Sequence, residues 1–368
     1  MKPSSQFMFG ESSRNLLITN PWTYAQHGHA RSELRILKLF LNQHNVANQI
    51  IGISKGFGDF SRFSFGELLH KVKLDHSKRF KGYIDEKLIN DLESNLYQVS
   101  RNLGHNCSGI MFTSAKVSHL FKMNTILVGQ YNLAIRFIDS PDKSGLSDIF
   151  AILRKNTKYR RIVAIENKRS LNKFEKFKLP IIHVPPAQSL WVEPDLENQS
   201  RDRIGVFFPV GKPANGPFAL ELLNSIRHLN PIVKLPGNML NKQIVANFHD
   251  CDFLLPGMKD EEFTNVLSKI KIAILGHENY ITSSSAYASY FVSNNVPILV
   301  HSNNRFYDEF NSEFVIPLPK DIPSKISGII KEVDSYPRLR KKGAYAIYSE
   351  NQWRKFVTMC IAERRYDS

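Results

Sequence analysis

Short apolar runs and longer amphipathic stretches alternate along the chain. Leu16–Thr19, which ends at Asn20-Pro21, is typical of a buried strand, and a second strand is predicted at Ile50–Ile53. Between them, apolar residues recur at helical spacing over 32–41. A strand, a helix and a strand in this order form a βαβ unit, which indicates a parallel sheet.

The same alternation continues through the first half of the sequence. The segment 84–103 is the clearest amphipathic helix, and Pro185-Pro186 ends the last apolar run. Four more strands are predicted, at 109–112, 125–128, 162–165 and 181–184.

A second series of elements follows a polar segment. It opens with a predicted strand at Ile204–Phe208 and a helix over 218–229. Further strands are predicted at 231–234, 253–255, 270–275, 296–300 and 314–316, and further helices over 261–268, 283–293, 322–332 and 338–364. The pattern therefore predicts an α/β protein with an N-terminal domain over 1–186, a linker over 187–202, a second domain over 203–335 and a helical tail over 336–368.

Composition narrows the class of protein. With 42% hydrophobic and 23% charged residues, the chain is typical of a globular protein and not of a disordered one. No apolar run reaches the length of a membrane span, and the polar N-terminus lacks the apolar core of a signal peptide. Cys107, Cys251 and Cys360 are far apart and odd in number, which argues against a disulfide framework or a cysteine zinc site. We therefore expect a cytoplasmic protein.

Charge is distributed unevenly between the two halves. The formal net charge is +15, and residues 1–190 alone carry 28 basic and 14 acidic side chains. This asymmetry suggests that the halves face different partners, and an anionic membrane, an anionic acceptor or a nucleic acid would each fit. Basic clusters at 71–81, 154–161 and 168–178 include Phe80, Tyr159, Phe174 and Phe177, a mixture that suits an interfacial membrane patch.

Two loops of the second domain carry candidate ligand-binding residues. Ligands of open parallel sheets bind beyond the carboxyl ends of the strands. The loop 209–217 offers Gly211, for close backbone approach, and Lys212, for a phosphate charge, but it lacks the G-K-[ST] of a P-loop. The loop 276–286 leads into a predicted helix, whose N-terminus favours an anion. Its candidates are Glu278, Tyr280, Thr282, Ser283, Ser284 and Ser285. Ordinary turns remain the alternative for both loops.

A third candidate loop, 24–31, follows the first strand. His27 and His29 could bind an anion together with Arg31, or supply a base, and polar surface is the alternative. No carboxylate lies close enough in sequence to make a metal site the preferred interpretation. Arg136 and Asp139, at the end of another apolar run of the same half, are further candidates.

Three segments resemble the GT-B glycosyltransferases, in particular the large group whose second domain binds a nucleotide-sugar. Gln26-His27-Gly28-His29-Ala30 and the following helix resemble the group's acceptor-side loop. The segment 206–223 resembles the opening strand, loop and helix of its donor domain, and 273–300, ending in Asn294-Asn295-Val296-Pro297-Ile298-Leu299-Val300, resembles its donor loop, helix and strand. The resemblance implies two Rossmann-like domains with a cleft between them and a C-terminal helical tail.

One departure from the group concerns its paired glutamates. Members often carry an E-x7-E pattern, whose positions correspond here to Thr282 and Tyr290. Glu278 is the nearby carboxylate, and its equivalence is open. The retaining mechanism of those members is therefore in question, and an inverting or an inactive enzyme remains an alternative.

The resemblance implies a hexosyltransferase that moves a sugar from a nucleotide diphosphate sugar to a glycan or lipid-linked glycan in cell-surface polysaccharide synthesis. Lys212 and the hydroxyls of 282–285 would contact the diphosphate without a metal or another cofactor, and Gly211, Glu278 and Tyr280 would complete the donor site. In an inverting enzyme His27, His29 or Asp139 would be the base, with Arg31 and Arg136 on the acceptor side.

A peripheral position on the inner face of the membrane is expected from the net positive charge of the first half. A nucleotide-sugar epimerase of the same fold and a DNA-directed glycosyltransferase or nucleic-acid-binding protein are the alternatives.

Overall fold

The chain divides into two compact units, which are described separately. The first contains the described residues up to 190 and those from Ser349 onward, and the second contains 191–348. The computed structural model describes residues 14–21, 28–52, 86–138, 142–155, 158–191, 201–208, 216–235, 242–254, 265–275, 286–301, 315–318, 326, 328–332 and 344–362.

The first unit is built on a parallel sheet with the strand order β2-β1-β3-β4-β5-β6. All its strand pairs are parallel, as the βαβ pattern of the sequence predicts. Its strands are β1 (Asn15–Thr19), β2 (Asn48–Ile50), β3 (Cys107–Ala115), β4 (Leu133–Phe137), β5 (Arg161–Ile165) and β6 (Ile181–His183).

Helices cover both faces of this sheet, so its strands are apolar on both sides. Leu17 and Ile135 belong to one apolar cluster, while Leu16 and Ala134 belong to the cluster on the other face. The helices of this part are α1 (Gly28–Gln43), α2 (Glu86–Leu103), α3 (Val117–Leu120), α4 (Asn124–Val128), α5 (Leu146–Lys155) and α6 (Leu171–Phe174). Short 3-10 helices lie at Gly104–Asn106, Lys168–Ser170, Glu175–Phe177 and Ala187–Leu190.

The second unit contains another parallel sheet, with the order β12-β11-β10-β7-β8-β9. Its strands are β7 (Arg203–Phe207), β8 (Ile232–Lys234), β9 (Asp252–Phe253), β10 (Ile270–Leu275), β11 (Ile298–His301) and β12 (Val315–Leu318). Its helices are α7 (Gly216–Ile226), the 3-10 helix Arg227–Leu229, α8 (Lys242–Asn247) and α9 (Ala286–Ser293). The residues 265–268 and 328–332 are also helical.

Two apolar clusters cover the two faces of the second sheet. Val206 and Ile274 pack with Leu222 of α7, whereas Phe207 and Leu275 pack with Phe291 of α9. The two helices that follow β7 and β10 along the chain therefore lie on opposite faces of this sheet.

The C-terminal helix α10 (Ala344–Ile361) contributes to both units. Tyr345 belongs to a core of the second unit, and the division between the units falls before Ser349. Trp353 and Phe356, both fully buried, join the first unit's core that contains Leu16, and the Trp353 indole donates a hydrogen bond to the Pro185 carbonyl. Among the described residues, no helix is long and apolar enough to cross a membrane.

The predicted elements are found, with one exception among those that the structure describes. The strand predicted at 125–128 is wrong, since these residues form helix α4. Ile126 and Leu127 are buried, and a run of three apolar residues does not by itself distinguish a strand from a buried helical turn. The strand predicted at 50–53 lies slightly earlier, at Asn48–Ile50.

Candidate functional site

The direction in which the chain adds strands to the second sheet reverses between β7 and β10, its two central strands. From β7 the chain continues to β8 and β9 on one side, and from β10 to β11 and β12 on the other. The last residues of the two central strands are paired, Leu275 with Phe207. In open α/β sheets such a switch point opens a crevice beyond the carboxyl ends of the strands, where ligands bind.

The two donor-side loops of the sequence analysis follow these two strands. The segment 209–217 comes directly after β7 and Phe208, and 276–286 comes directly after β10. The topology therefore starts both loops at neighbouring strand ends, which the 58 residues between them in sequence do not reveal. The candidate residues of the two loops lie outside the described residues: Gly211, Lys212, Glu278, Tyr280, Thr282, Ser283, Ser284 and Ser285.

A described lysine and tyrosine stand beside this switch point. Lys234 is the last residue of β8 and is paired with Phe207 at the end of β7. Its ammonium group donates a hydrogen bond to the hydroxyl of Tyr287, in the first turn of α9, and lies 4.5 Å from the centre of the tyrosine ring.

The E-x7-E position that falls on Tyr290 has an apolar role. Tyr290 is buried in the core of the second unit, with its ring at 5.4 Å and edge-on to Phe291. A glutamate would be costly at such a site, because burial of an unpaired charge is unfavourable. The other position, Thr282, lies outside the described residues.

The first sheet has its own switch point, between β1 and β3. The chain passes from β1 to β2 on one side and continues from β3 on the other, with Thr19 paired to Phe112. The third candidate loop follows β1. Helix α1 begins at Gly28, so His29 and Arg31 belong to its first turn and the loop prediction is wrong for them. His27 and Asp139 lie outside the described residues.

Glu33 of α1 is the centre of a buried polar network at this edge. One of its carboxylate oxygens accepts hydrogen bonds from the Asn20 amide at 2.9 Å and the Ser114 hydroxyl at 2.8 Å, and Thr113 donates at 3.2 Å. Asn20 follows β1, and the two hydroxyl residues are on β3. The network therefore joins the ends of the two central strands to the first helix.

Arg136 of β4 supplies the charge that this network requires. Its Nη1 lies 2.7 Å from Glu33, and its Nη2 lies 3.1 Å from Glu166, which follows β5. Its Nε donates to the Val184 carbonyl at 2.8 Å, and its guanidinium carbon is 5.7 Å from the centre of the Trp353 ring.

Arg136 is completely buried, so an acceptor could reach it only after a rearrangement of these contacts. Its acceptor-side role stays a prediction. What the structure adds is that two buried glutamates hold the guanidinium in place.

His183 extends this network on β6. Its Nε2 donates to the Glu166 carbonyl at 3.0 Å. Burial lowers the pKa of His183 to about 3, because desolvation disfavours the imidazolium, and the charges of Arg136 and Lys168 lower it further. The ring is therefore neutral near pH 7 and acts as a hydrogen-bond donor.

The opposite, amino edge of the second sheet carries a D-x-D triplet that the sequence analysis passed over. Asp252 pairs with Arg203 at 2.7 Å, and Asp250 lies 3.5 Å from Arg227. A cavity of about 290 Å³ lies beside Arg203 and Asp252, at the far end of the sheet from the two loops. Each aspartate already has a cation, and the described residues contain no group of three metal-ligating side chains.

Two aromatic residues of the basic clusters have a different role from the one expected. Phe174 and Phe177 were expected to contribute to an interfacial patch, but both are buried and pack around Phe150 of α5. Exposed lysines flank them, including Lys173 and Lys176. The two phenylalanines therefore do not belong to an exposed patch, whereas Tyr159 is only partly buried, with the Lys158 ammonium group 5.8 Å from the centre of its ring.

Sequence reasoning missed Glu33, Glu166, His183, Lys234 and Tyr287. The position of Arg136 could have predicted that glutamates lie nearby. A charged residue within an apolar strand such as Leu133–Phe137 needs a buried counter-charge. Lys234 had a weaker signal, its position at the carboxyl end of a predicted strand.

Comparison with solved structures reveals the same architecture. UDP-GlcNAc 2-epimerase from Neisseria meningitidis, bound to UDP-GlcNAc, superposes with a TM-score of 0.59 at 11% identity, over 94% of this chain and 99% of that one. A glycosyltransferase from Rickettsia africae gives 0.54 at 10% identity, over 95% and 94%. This chain has the GT-B fold.

The similarity to these proteins is found in the structure and not in the sequence. UDP-N-acetylglucosamine 2-epimerase from Rickettsia bellii matches with a TM-score of 0.53 at only 7% identity, over 94% of this chain and 95% of that one. No protein-family model matches the sequence, and the comparison with curated proteins found no match. Glycosyltransferases and epimerases share the architecture, and function must be argued from the site.

Proposed function

We propose that the protein is a glycosyltransferase that moves a sugar from a nucleotide diphosphate sugar to an acceptor hydroxyl. The adjacency of the two strand ends that precede the candidate loops, at the switch point of the second sheet, carries this proposal. One loop offers a glycine and a lysine, and the other offers a run of hydroxyls before a helix. Together they suit a diphosphate, which needs positive charge and hydrogen-bond donors.

Stabilising the departing diphosphate is the main electrostatic demand of this transfer. In the proposed site Lys212, backbone amides and the hydroxyls of 282–285 meet that demand without a metal. The solved epimerase of the same fold binds UDP-GlcNAc, which supports a nucleotide-sugar as the donor class.

The first unit would serve the acceptor. His27, His29 or Asp139 would remove the proton from the acceptor hydroxyl if the configuration inverts. The network of Glu33 and Arg136 would act indirectly, by fixing α1, which carries His29 in its first turn. A glycan or lipid-linked glycan of cell-surface polysaccharide synthesis is the proposed acceptor, and the basic first half would hold the enzyme at the inner face of the membrane.

A thermal-shift screen of nucleoside diphosphates and nucleotide-sugars tests the donor site. A ligand at 100 times its dissociation constant should stabilise the fold by about 2.7 kcal/mol. Lys212→Ala and the double change Thr282→Ala/Ser283→Ala should weaken binding of that ligand while changing stability by no more than about 0.5 kcal/mol. Unchanged affinity in both variants would remove this assignment of the donor residues. Glu278→Gln is a separate test, and full turnover in that variant would show that Glu278 is only a loop residue.

Product analysis separates the transferase from the epimerase. With a nucleotide-sugar and no acceptor, a transferase leaves the sugar configuration unchanged. Accumulation of an isomerised nucleotide-sugar in that reaction would contradict our proposal and favour the epimerase.

A further inference from the structure

The amino edge of the first sheet carries exposed cations from several elements. A connection between parallel strands has to return the chain to the amino end of the next strand, so the residues just before each strand lie at this edge. Helices α2 and α5 end there, before β3 and β5, and the segment 176–180 leads directly into β6. Among the described residues, the exposed cations of this edge include Arg101, Arg154, Lys155, Lys158, Lys176 and Lys178.

The basic residues before β5 and those before β6 form one surface. The Val163 amide of β5 donates a hydrogen bond to the Pro180 carbonyl at 3.1 Å, so the amino ends of the two strands are adjacent. The rings of Phe150, in α5, and Phe177 lie 4.3 Å apart, which places α5 beside the segment 176–178. Two basic clusters that are separate in the sequence are therefore joined by the fold.

Acidic residues are absent from the segments that lead into β3, β4, β5 and β6. These segments are 101–106, 129–132, 154–160 and 176–180. Glu175, one residue before the last of them, is the nearest exposed acid in the chain, while Asp148 lies at the opposite end of α5, in its first turn. A helix C-terminus attracts basic residues, which accounts for those in the last turn of α5. It does not account for Lys158 or Lys178, which lie outside the helix.

The chemistry of this surface fits an anionic bilayer better than a nucleic acid. Four of its six cations named above are lysines, which are hydrated point charges without the planar fork by which arginine recognises phosphates and base edges. Stacking of bases needs an exposed aromatic ring. In these segments Phe177 is buried, and Tyr131 and Tyr159 are partly buried. The ring of Tyr97, nearby on α2, is covered by the guanidinium of Arg101 at 5.6 Å.

We propose that the amino edge of the first sheet is the surface that docks on an anionic bilayer. This inference rests on the membrane partner of the proposed function, and it adds the surface and the orientation with which the first unit docks. The bilayer is recognised through the negative charge of its headgroups. The carboxyl edge, with the switch point between β1 and β3, then lies farther from the bilayer by roughly 17 Å, the length of a five-residue strand such as β5.

Two double variants with the same change of charge test this orientation. Lys158→Gln/Lys178→Gln removes two exposed lysines of the amino edge. The control Lys143→Gln/Lys168→Gln removes two exposed lysines that follow β4 and β5, at the carboxyl edge of the same sheet. Co-sedimentation with phosphatidylcholine vesicles, with and without phosphatidylserine, measures binding at 0.1 M salt, and thermal unfolding confirms that each variant is folded.

We expect the amino-edge variant to bind phosphatidylserine vesicles about 30-fold more weakly than wild type, as for the loss of two lysines close to the bilayer. The carboxyl-edge control should stay within about threefold of wild type. Its lysines lie about one strand length farther away, and charges are screened beyond about 10 Å at this salt concentration.

Three results would overturn the inference. Equal weakening in the two double variants would show that binding depends on net charge and not on the amino edge. Failure of the wild type to bind phosphatidylserine vesicles, or equal binding to phosphatidylcholine alone, would remove the bilayer as partner. Tighter binding of duplex DNA than of vesicles, weakened by the amino-edge variant, would assign this edge to a nucleic acid.

The thermal-shift screen of nucleotide-sugars on the same samples tests the donor site separately. A wild type that is stabilised by a nucleotide-sugar but does not bind vesicles would overturn only the docking inference. A wild type that binds vesicles through the amino edge but no nucleotide-sugar would contradict the proposed transfer reaction and support the docking surface.

Discussion

The two sheets differ in how they balance charge at their carboxyl edges. In the first unit, the guanidinium of Arg136 lies between the carboxylates of Glu33 and Glu166, and all three side chains are buried. In the second unit, Lys234 is held by a tyrosine and has no described carboxylate partner. Both edges are switch points, where ligands of open parallel sheets bind, but the arginine of the first edge is paired with carboxylates, while the lysine of the second has no carboxylate partner among the described residues.

The largest expected loss of stability comes from removing the cation of the buried network in the first unit. Arg136→Met leaves Glu33 buried without its cation and removes the contact to Glu166, and we expect the free energy of unfolding to fall by about 3–5 kcal/mol. Arg203→Met removes the pair with Asp252, which is 70% exposed, and should cost no more than about 1 kcal/mol. Urea denaturation followed by circular dichroism measures both.

A further variant distinguishes lost charge balance from lost packing at Arg136. Arg136→Met/Glu33→Gln/Glu166→Gln removes all three charges and should recover part of the stability that Arg136→Met loses. A triple variant as unstable as the single one would contradict the electrostatic explanation.

Acid should destabilise the first unit through its buried histidines. Burial lowers the pKa of both His119 and His183 to about 3, against about 6.5 in an unfolded chain. Between these values the unfolded chain binds more protons, so the free energy of unfolding falls as pH drops below about 6.5, by about 2 kcal/mol per histidine at pH 5.

Urea midpoints at pH 7 and pH 5 measure this dependence. His183→Gln keeps a donor for the Glu166 carbonyl but does not titrate, and it should lose less stability than wild type over the same pH interval. An unchanged pH dependence in this variant would show that His183 is not a source of acid lability.

A smaller effect is expected at the basic surface of the first unit. Lys173→Gln/Lys176→Gln should weaken binding to anionic liposomes by about 2 kcal/mol, or roughly 30-fold, at about 1 kcal/mol for each lysine near the surface. Lys269→Gln/Lys331→Gln removes two exposed lysines of the second unit and should have little effect.

Flotation with neutral and anionic liposomes, at low and high salt, measures this difference. Binding should require anionic lipid and weaken with salt. Equal recovery with neutral vesicles, or no recovery with either, would refute the membrane proposal, and tight salt-sensitive binding to DNA without lipid binding would favour the nucleic-acid alternative.

The smallest expected effect concerns one backbone position in each unit. Lys178 and Asn230 both end a 3-10 helix with positive φ, at 52° and 47°. Asparagine adopts this conformation at a lower energetic cost than lysine. Lys178→Gly should therefore stabilise the protein by up to about 1 kcal/mol, while Asn230→Gly should be close to neutral in the same thermal-unfolding measurement.

Much of the fold could be predicted because buried parallel strands leave a strong pattern. The strand Ile270–Leu275 has the predicted bounds, since a six-residue apolar run between polar segments has few alternatives. Helix α4 was mistaken for a strand because its three apolar residues, Ile126, Leu127 and Val128, are too few to show a helical period.

The sequence predicted candidate site residues only where they follow the carboxyl end of a strand. The loops after β7 and β10 were identified because ligands bind at carboxyl ends, but their adjacency depends on strand order, which no local pattern encodes. The partnership of Glu33 with Arg136 joins residues 103 positions apart, so the sequence showed the buried arginine but not its partner.

The contribution of helix α10 to the first unit has a consequence for synthesis of the chain. Trp353, Phe356, Val357 and Cys360 share a core with Leu16 and Ile18, at the other end of the sequence. A ribosome making about 5–20 residues per second needs roughly 10–30 seconds to pass from residue 190 to residue 360. During that time the nascent first sheet lacks part of the apolar cluster on one of its faces, to which α1 contributes the rest of the helical cover. The N-terminal unit therefore cannot finish folding first, and a stop codon late in the message would damage the beginning of the protein.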